Sequence, residues 1–171
     1  MIKEKYLGAY MKTAKIFAGL SSARRRHVGA IIVKDDRIIS IGYNGMPSGW
    51  DNNCEDEVMD SYSGFEGAIH NVRLKTKPEV LHAESNAIAK LAKSTESGDG
   101  ASMFITCSPC IECAKMIYQS GIKEVFYGEE YKSDDGLKFL HKCGVGLMKL
   151  DDNDLMSKMS ISKKVSEMSN K

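Results

Sequence analysis

Ala101-Ser-Met-Phe-Ile-Thr-Cys-Ser-Pro-Cys-Ile-Glu-Cys-Ala-Lys-Met-Ile-Tyr-Gln-Ser-Gly-Ile-Lys-Glu-Val-Phe-Tyr127 decides the fold. A short apolar run, Ala101 to Thr106, reads as a strand. Cys110 to Ser120 follows as a helix that Gly121 closes, and Ile122 to Tyr127 reads as a second strand. This strand, helix and strand begin an alternation of helices and strands that implies one mixed sheet. The pattern continues with a helix over Leu137 to Cys143, ended by Gly144, and a strand over Val145 to Leu150.

Towards the N-terminus, Ile2, Tyr6, Leu7, Tyr10, Ala14 and Phe17 recur at helical spacing, and Ser21-Ser22 ends that helix. Two apolar runs, Val28 to Val33 and Arg37 to Tyr43, flank Lys34-Asp35-Asp36 and predict a hairpin. Their nearly continuous apolar character places both inside a sheet covered on its two faces. Two glycines and a proline make Tyr43 to Gly49 a loop. Residues 50–80 show no sustained period and read as an insertion near the site, with one or two short helices. Helical spacing returns over Ala83 to Lys93. The whole is a three-layer α/β/α fold: a central mixed sheet of about five strands with helices on both faces, filling residues 1–150. The tail, residues 151–171, turns to Ser, Lys, Asp, Asn and Met and reads as weakly helical or disordered.

His82-Ala83-Glu84 and Pro109-Cys110-Ile111-Glu112-Cys113 carry the chemistry. One imidazole and two thiolates balance Zn2+, and a catalytic zinc takes three protein ligands and keeps a fourth position for water. His82, Cys110 and Cys113 are those ligands in this reading, and Glu84 is left to move protons. Because residues two apart point nearly opposite ways on a helix, His82 belongs at the helix cap. Cys107, Cys110 and Cys113 also resemble part of an iron–sulfur run. That alternative needs Cys54 or Cys143 as a fourth ligand and leaves His82 and Glu84 without a purpose; Cys107 is read instead as a small apolar residue packed beneath the site. His-x-Glu with Pro-Cys-x-x-Cys is the known signature of zinc-dependent deaminases.

Val28-Gly29-Ala30, Gly42-Tyr43-Asn44-Gly45-Met46-Pro47, His82 through Ile88, Ser108 through Lys115 and Ser120 through Val125 together resemble deoxycytidylate (dCMP) deaminases over about Tyr6 to Leu150, in the family's order and spacing. The zinc motifs alone are shared with the wider cytidine deaminase superfamily. The Gly-Tyr-Asn-Gly loop and Asn86-Ala87-Ile88 narrow the resemblance. It implies a cytidine deaminase-like fold and hydrolysis of dCMP to dUMP and ammonia for thymidylate synthesis. Zinc would sit on His82, Cys110 and Cys113, with Glu84 passing a proton from water to cytosine N3 and then to the departing amine. The resemblance also implies a homohexamer activated by dCTP with Mg2+ and inhibited by dTTP.

Arg24, Arg25 and Arg26 precede the first strand, where a guanidinium can grip a phosphate. Arg26, Asn44, Tyr127 and Tyr131 are the candidate substrate contacts. Asn44, Gly45, Arg24 and Arg25 are candidates for the effector nucleotide, with Gly45 and Gly49 letting backbone N–H groups approach a triphosphate. Some phage relatives carry a second zinc. Cys54, His70 and Glu79 fit part of such a set, but the early cysteine is missing, so one zinc per chain is expected.

A net charge of +1 over 171 residues gives no global basic field, which favours a small ligand over nucleic acid. A nucleic-acid editing enzyme and a noncatalytic zinc module are the rival readings. Clustered cysteines, no signal-peptide pattern and no apolar run near the roughly 20 residues of a membrane span make a soluble, cytoplasmic protein the expectation.

Overall fold

The computed structural model describes residues 2–64 and 67–150, and the side chains of these outside 60–70. Eleven elements are laid down in chain order: α1 (Glu4–Ala18), β1 (Gly29–Lys34), β2 (Arg37–Tyr43), β3 (Glu55–Gly64), β4 (Gly67–Thr76), α2 (Ala83–Leu91), β5 (Ser102–Cys107), α3 (Ile111–Gln119), β6 (Glu124–Glu129), α4 (Asp135–Lys142) and β7 (Gly146–Lys149). Five strands form one sheet in the order β2-β1-β5-β6-β7. β1 runs antiparallel to both β2 and β5, whereas β5, β6 and β7 are mutually parallel. The expected mixed five-stranded sheet is therefore present.

Side-chain alternation along the central strands builds two cores, one on each face. Ile31, Val33, Phe104 and Phe126 point to α1 and meet Leu7, Met11 and Ala14. The Phe104 and Phe126 rings stack with centroids 4.5 Å apart. Ala30, Ile32, Met103, Ile105 and Val125 point the other way and are covered by Ala87 and Leu91 of α2, Ala114 and Ile117 of α3, and Leu140 of α4. Each fully buried Ile or Phe contributes on the order of 1.5–3 kcal/mol, and both faces of β1 and β5 are used this way.

The β1–β2 hairpin turns on Asp35 and Asp36, at φ 50° and 58°. Two consecutive positive φ values give the primed turn whose twist matches the strands, and aspartate tolerates that region. The two strands differ in burial, contrary to the uniform cover expected of them. β1 is buried, whereas β2 is the sheet edge, and Ile38 near its start is 41 % exposed. An apolar run cannot reveal which strand of a hairpin has a neighbour on its far side.

The larger correction concerns residues 50–80, where helices were expected. β3 and β4 instead form a separate two-stranded hairpin, with Glu55 opposite Thr76 and Met59 opposite Val72. Met59 and Val72 are exposed, at 69 % and 57 %. This part of the hairpin buries no face, so nothing imposed the alternation that marks a strand in sequence. The tail, residues 151–171, lies outside the described residues. Among those described, no helix is long and apolar enough to cross a membrane.

Candidate active site

Two helix N-termini meet at the candidate site. His82 caps α2 in extended conformation, φ −73° and ψ 155°, and Cys110 caps α3 in the same way, φ −69° and ψ 168°. Leaving the helix at the cap turns His82 away from Glu84, the placement that their spacing demanded. α2 is seated by Gly42 on β2: a Cβ there would lie 2.1 Å from the Ala83 carbonyl oxygen and 2.6 Å from the Ala87 nitrogen. The Ser40 hydroxyl donates to the Ala87 carbonyl at 2.7 Å, and Asn86 Nδ2 donates to the Tyr43 carbonyl at 3.0 Å. α3 is seated by Gly136 at the start of α4, whose Cβ would fall 2.1 Å from the Pro109 carbonyl oxygen.

His82 Nδ1 faces both sulfurs, 3.5 Å from Cys110 Sγ and 3.3 Å from Cys113 Sγ, and the three ligand atoms lie within 4.8 Å of one another. Tetrahedral zinc with Zn–S near 2.3 Å and Zn–N near 2.05 Å puts N and S about 3.5 Å apart. The donor set therefore fits zinc in both chemistry and spacing. Hydrogen bonds from Cys113 and His82 pull the Cys110 thiol down to about 3, while Cys113, hydrogen-bonded to Cys110 and buried, is pushed up. His82 is raised, chiefly by its hydrogen bond to Cys110.

Glu84 is 4 % exposed. Burial pushes its carboxyl up to about 7, with a hydrogen bond from its own backbone N–H opposing the shift. A divalent cation beside it would pull the value back down.

These residues open on a cavity of about 500 Å³. Its wall includes His82, Glu84, Cys110, Arg25, Arg26, Asn44, Tyr131 and Lys132. The candidate substrate contacts fare differently. Arg26 reaches the wall, but its guanidinium already holds Glu129 at 3.3 Å and donates to Cys107 Sγ at 2.9 Å. Asn44 reaches it too, with Oδ1 accepting from Val28 N at 2.8 Å and Nδ2 donating to the Arg26 carbonyl at 2.8 Å. Asn44 thus ties the loop to the arginine arm. Tyr131 is held on the wall by its backbone N–H, which donates to Ser108 Oγ at 2.8 Å. Tyr127 is not among the lining residues; on β6 it packs against the α2–α3 core.

Of the candidates for an effector nucleotide, Arg24 points to Glu57, at 2.9 Å, and is not in the wall. Gly45 pairs with Leu81, its N–H donating to the Leu81 carbonyl at 3.1 Å, so that N–H is not available to a phosphate. Arg25 moves to the cavity itself, where its guanidinium donates to the Thr76 hydroxyl at 2.9 Å. Sequence reasoning missed Glu55 and Lys132, both in the wall. Neither belongs to a motif or a periodic face, so no local signal marked them. Cys54 faces the Ser22 hydroxyl at 3.5 Å, and the His70 side chain lies outside the described residues.

Comparison with known proteins agrees with this geometry. Residues 4–129 match the family described as the cytidine and deoxycytidylate deaminase zinc-binding region. The chain is 32 % identical to ComE operon protein 2 of Bacillus subtilis, over 92 % of this chain and 77 % of that protein. It is 41 % identical to human deoxycytidylate deaminase, over 74 % of this chain and 66 % of the human protein. A crystal structure of the cyanophage S-TIM5 dCMP deaminase, in complex with dCMP and dUMP, superposes with a TM-score of 0.74 at 43 % identity, covering 88 % of this chain and all of that one. The chain belongs to the cytidine and deoxycytidylate deaminase family, and it is a zinc-binding deaminase.

Proposed function

We propose that the protein hydrolyses dCMP to dUMP and ammonia. The observation that carries this reading is the clustering of His82, Cys110 and Cys113 within 4.8 Å, with His82, Cys110 and a buried Glu84 lining a cavity that also presents Arg25 and Lys132. His82 Nδ1 and the sulfurs of Cys110 and Cys113 would hold zinc. When bound, zinc acts as a Lewis acid that makes water an effective nucleophile near neutral pH. Glu84 takes a proton from the water that attacks C4 of cytosine and delivers it to N3; it then takes the remaining proton of the new C4 hydroxyl and passes it to the amine, which leaves as ammonia as the C4 carbonyl forms. Burial suits this work, because it sets the Glu84 carboxyl beside the metal-ligating residues and away from bulk water that would compete for the proton.

Arg25 and Lys132 are assigned to the substrate phosphate. Among the described residues, Arg25 contacts only a hydroxyl through its guanidinium, and Lys132 lies over the Tyr131 ring at 5.6 Å. Arg26 is instead neutralised by Glu129. The name and the dCMP complex of the cyanophage relative support the same substrate class. Supply of dUMP for thymidylate, activation by dCTP with Mg2+, inhibition by dTTP and a homohexameric assembly are further parts of the reading, drawn from the family resemblance. Velocity curves for dCMP with and without each triphosphate test the effectors.

The deciding experiment measures ammonia release by zinc-loaded protein with dCMP, deoxycytidine, dCTP and a short cytosine-containing single strand side by side. A preference for dCMP is expected. Activity confined to the strand or to the nucleoside would overturn the substrate assignment and leave the deaminase chemistry standing.

A further inference from the structure

We propose that Glu55 is a positioning residue for recognition of the substrate phosphate, and that the β3–β4 hairpin acts through it as the brace of the arginine arm. This inference rests on the monophosphate reading above and adds a residue that no motif marks.

Glu55 sits at the base of the hairpin with its side chain 1 % exposed. A carboxylate so buried is ordinarily paired with a cation. Here the nearest guanidinium nitrogen, Arg24 Nε, stands 3.9 Å away, and the close partners are backbone N–H groups. Arg24 N donates to both carboxylate oxygens, at 3.1 and 3.0 Å, and Arg25 N donates to one of them at 3.2 Å. Two successive N–H groups converging on one anion make a nest. Its effect is to fix the backbone from which the Arg25 and Arg26 side chains leave.

The opposite strand supplies a second tether. Thr76 is the register partner of Glu55 on β4, and its hydroxyl accepts from Arg25 Nη1 at 2.9 Å. The arm is thus held to both strands at one rung of the hairpin, and Glu55, Thr76, Arg25 and Arg26 all line the cavity. The choice of partners matters for charge. Glu55 is committed to backbone donors and Thr76 is neutral, so the Arg25 guanidinium is held in place without an ion pair to a carboxylate among the described residues. A carboxylate paired with the Arg25 guanidinium would position it equally well and cancel the attraction for a phosphate. A phosphomonoester of a small nucleoside is the ligand this arrangement favours.

The test compares kcat/KM for dCMP with kcat/KM for deoxycytidine in the wild type and in Glu55→Gln, Glu55→Asp and Thr76→Val. In Glu55→Gln an amide donor would face the nest's own donors, so the arm shifts. The ratio is expected to fall about tenfold or more, the size of one lost charged hydrogen bond, with the change in KM for dCMP and little in kcat. Glu55→Asp keeps the charge and should recover part of the loss. Thr76→Val removes the second tether and should lower the ratio about two- to fivefold, on the scale of a neutral hydrogen bond. If Glu55 served only to hold the fold, both substrates would suffer alike, and an unchanged ratio in Glu55→Gln overturns the proposal. Should that variant fail to fold by circular dichroism, Thr76→Val decides on the same criterion. A wild type without preference for dCMP ends the monophosphate reading and this inference together. A wild type that prefers dCMP, with the ratio unmoved in the variants, ends this inference alone.

Discussion

Glu84 owes its character to its neighbours. It sits one residue inside α2, buried, and two residues from His82 at the cap. Glu84→Gln keeps the shape and removes the proton carrier, so kcat is expected to fall by about 10²–10⁴ while zinc content, measured by elemental analysis, is unchanged. Near-wild-type ammonia release by that variant would remove Glu84 from its role. Lys132, in the wall of the same cavity, offers a complementary test. Lys132→Met should raise KM for dCMP about tenfold with kcat nearly constant, whereas Tyr127→Phe should change neither, because Tyr127 packs into the core. Steady-state kinetics on the two variants separates a residue in the cavity wall from one that merely lies near it in sequence. His82, Glu84, Cys110 and Cys113 were legible in the sequence because they sit in short motifs whose spacing is itself the geometry. Lys132 and Glu55 were not, because each reaches the cavity through a contact made by a distant segment.

At the scale of elements, the site depends on how closely α2 and α3 approach the rest of the fold. Gly42 lets the first turn of α2 lie directly on β2. Gly42→Ala would drive a methyl group into the α2 backbone, displacing His82 and Glu84 together. Overpacking of this kind costs about 1–3 kcal/mol, and a displacement near 1 Å costs about 10²-fold in rate. The expected outcome is a modest drop in denaturation midpoint with a disproportionate loss of kcat. An activity loss no larger than the stability loss predicts would show that α2 had settled back without moving the site. The helices and strands of the main sheet were readable, since burial of one or both faces imposes a period on the sequence. β3 and β4 escaped because the part of the hairpin around Met59 and Val72 is solvated.

For the whole molecule, zinc would link two halves of the chain. His82 arrives with α2 after the hairpin, and Cys110 and Cys113 with α3 inside the parallel half of the sheet. Metal bound across them should stabilise the native state by about 4 kcal/mol when free zinc exceeds its Kd a thousandfold. Chelation is therefore expected to abolish ammonia release and lower the melting temperature, and zinc added back should restore both. Calorimetry with and without chelator measures this, and an unchanged melting temperature on full removal of zinc would show that the ion contributes nothing to the fold. The sequence by itself determined the mixed sheet, its helices and the residues of the zinc motif, because periodicity and ligand spacing are local properties that the chain carries before it folds. Only the tertiary structure decided that β2 is an edge, that residues 55–76 form a hairpin, and that Arg25 rather than Arg24 faces the cavity. Those outcomes depend on what lies across a strand or a loop, and that neighbour is brought there by contacts between residues far apart in the chain.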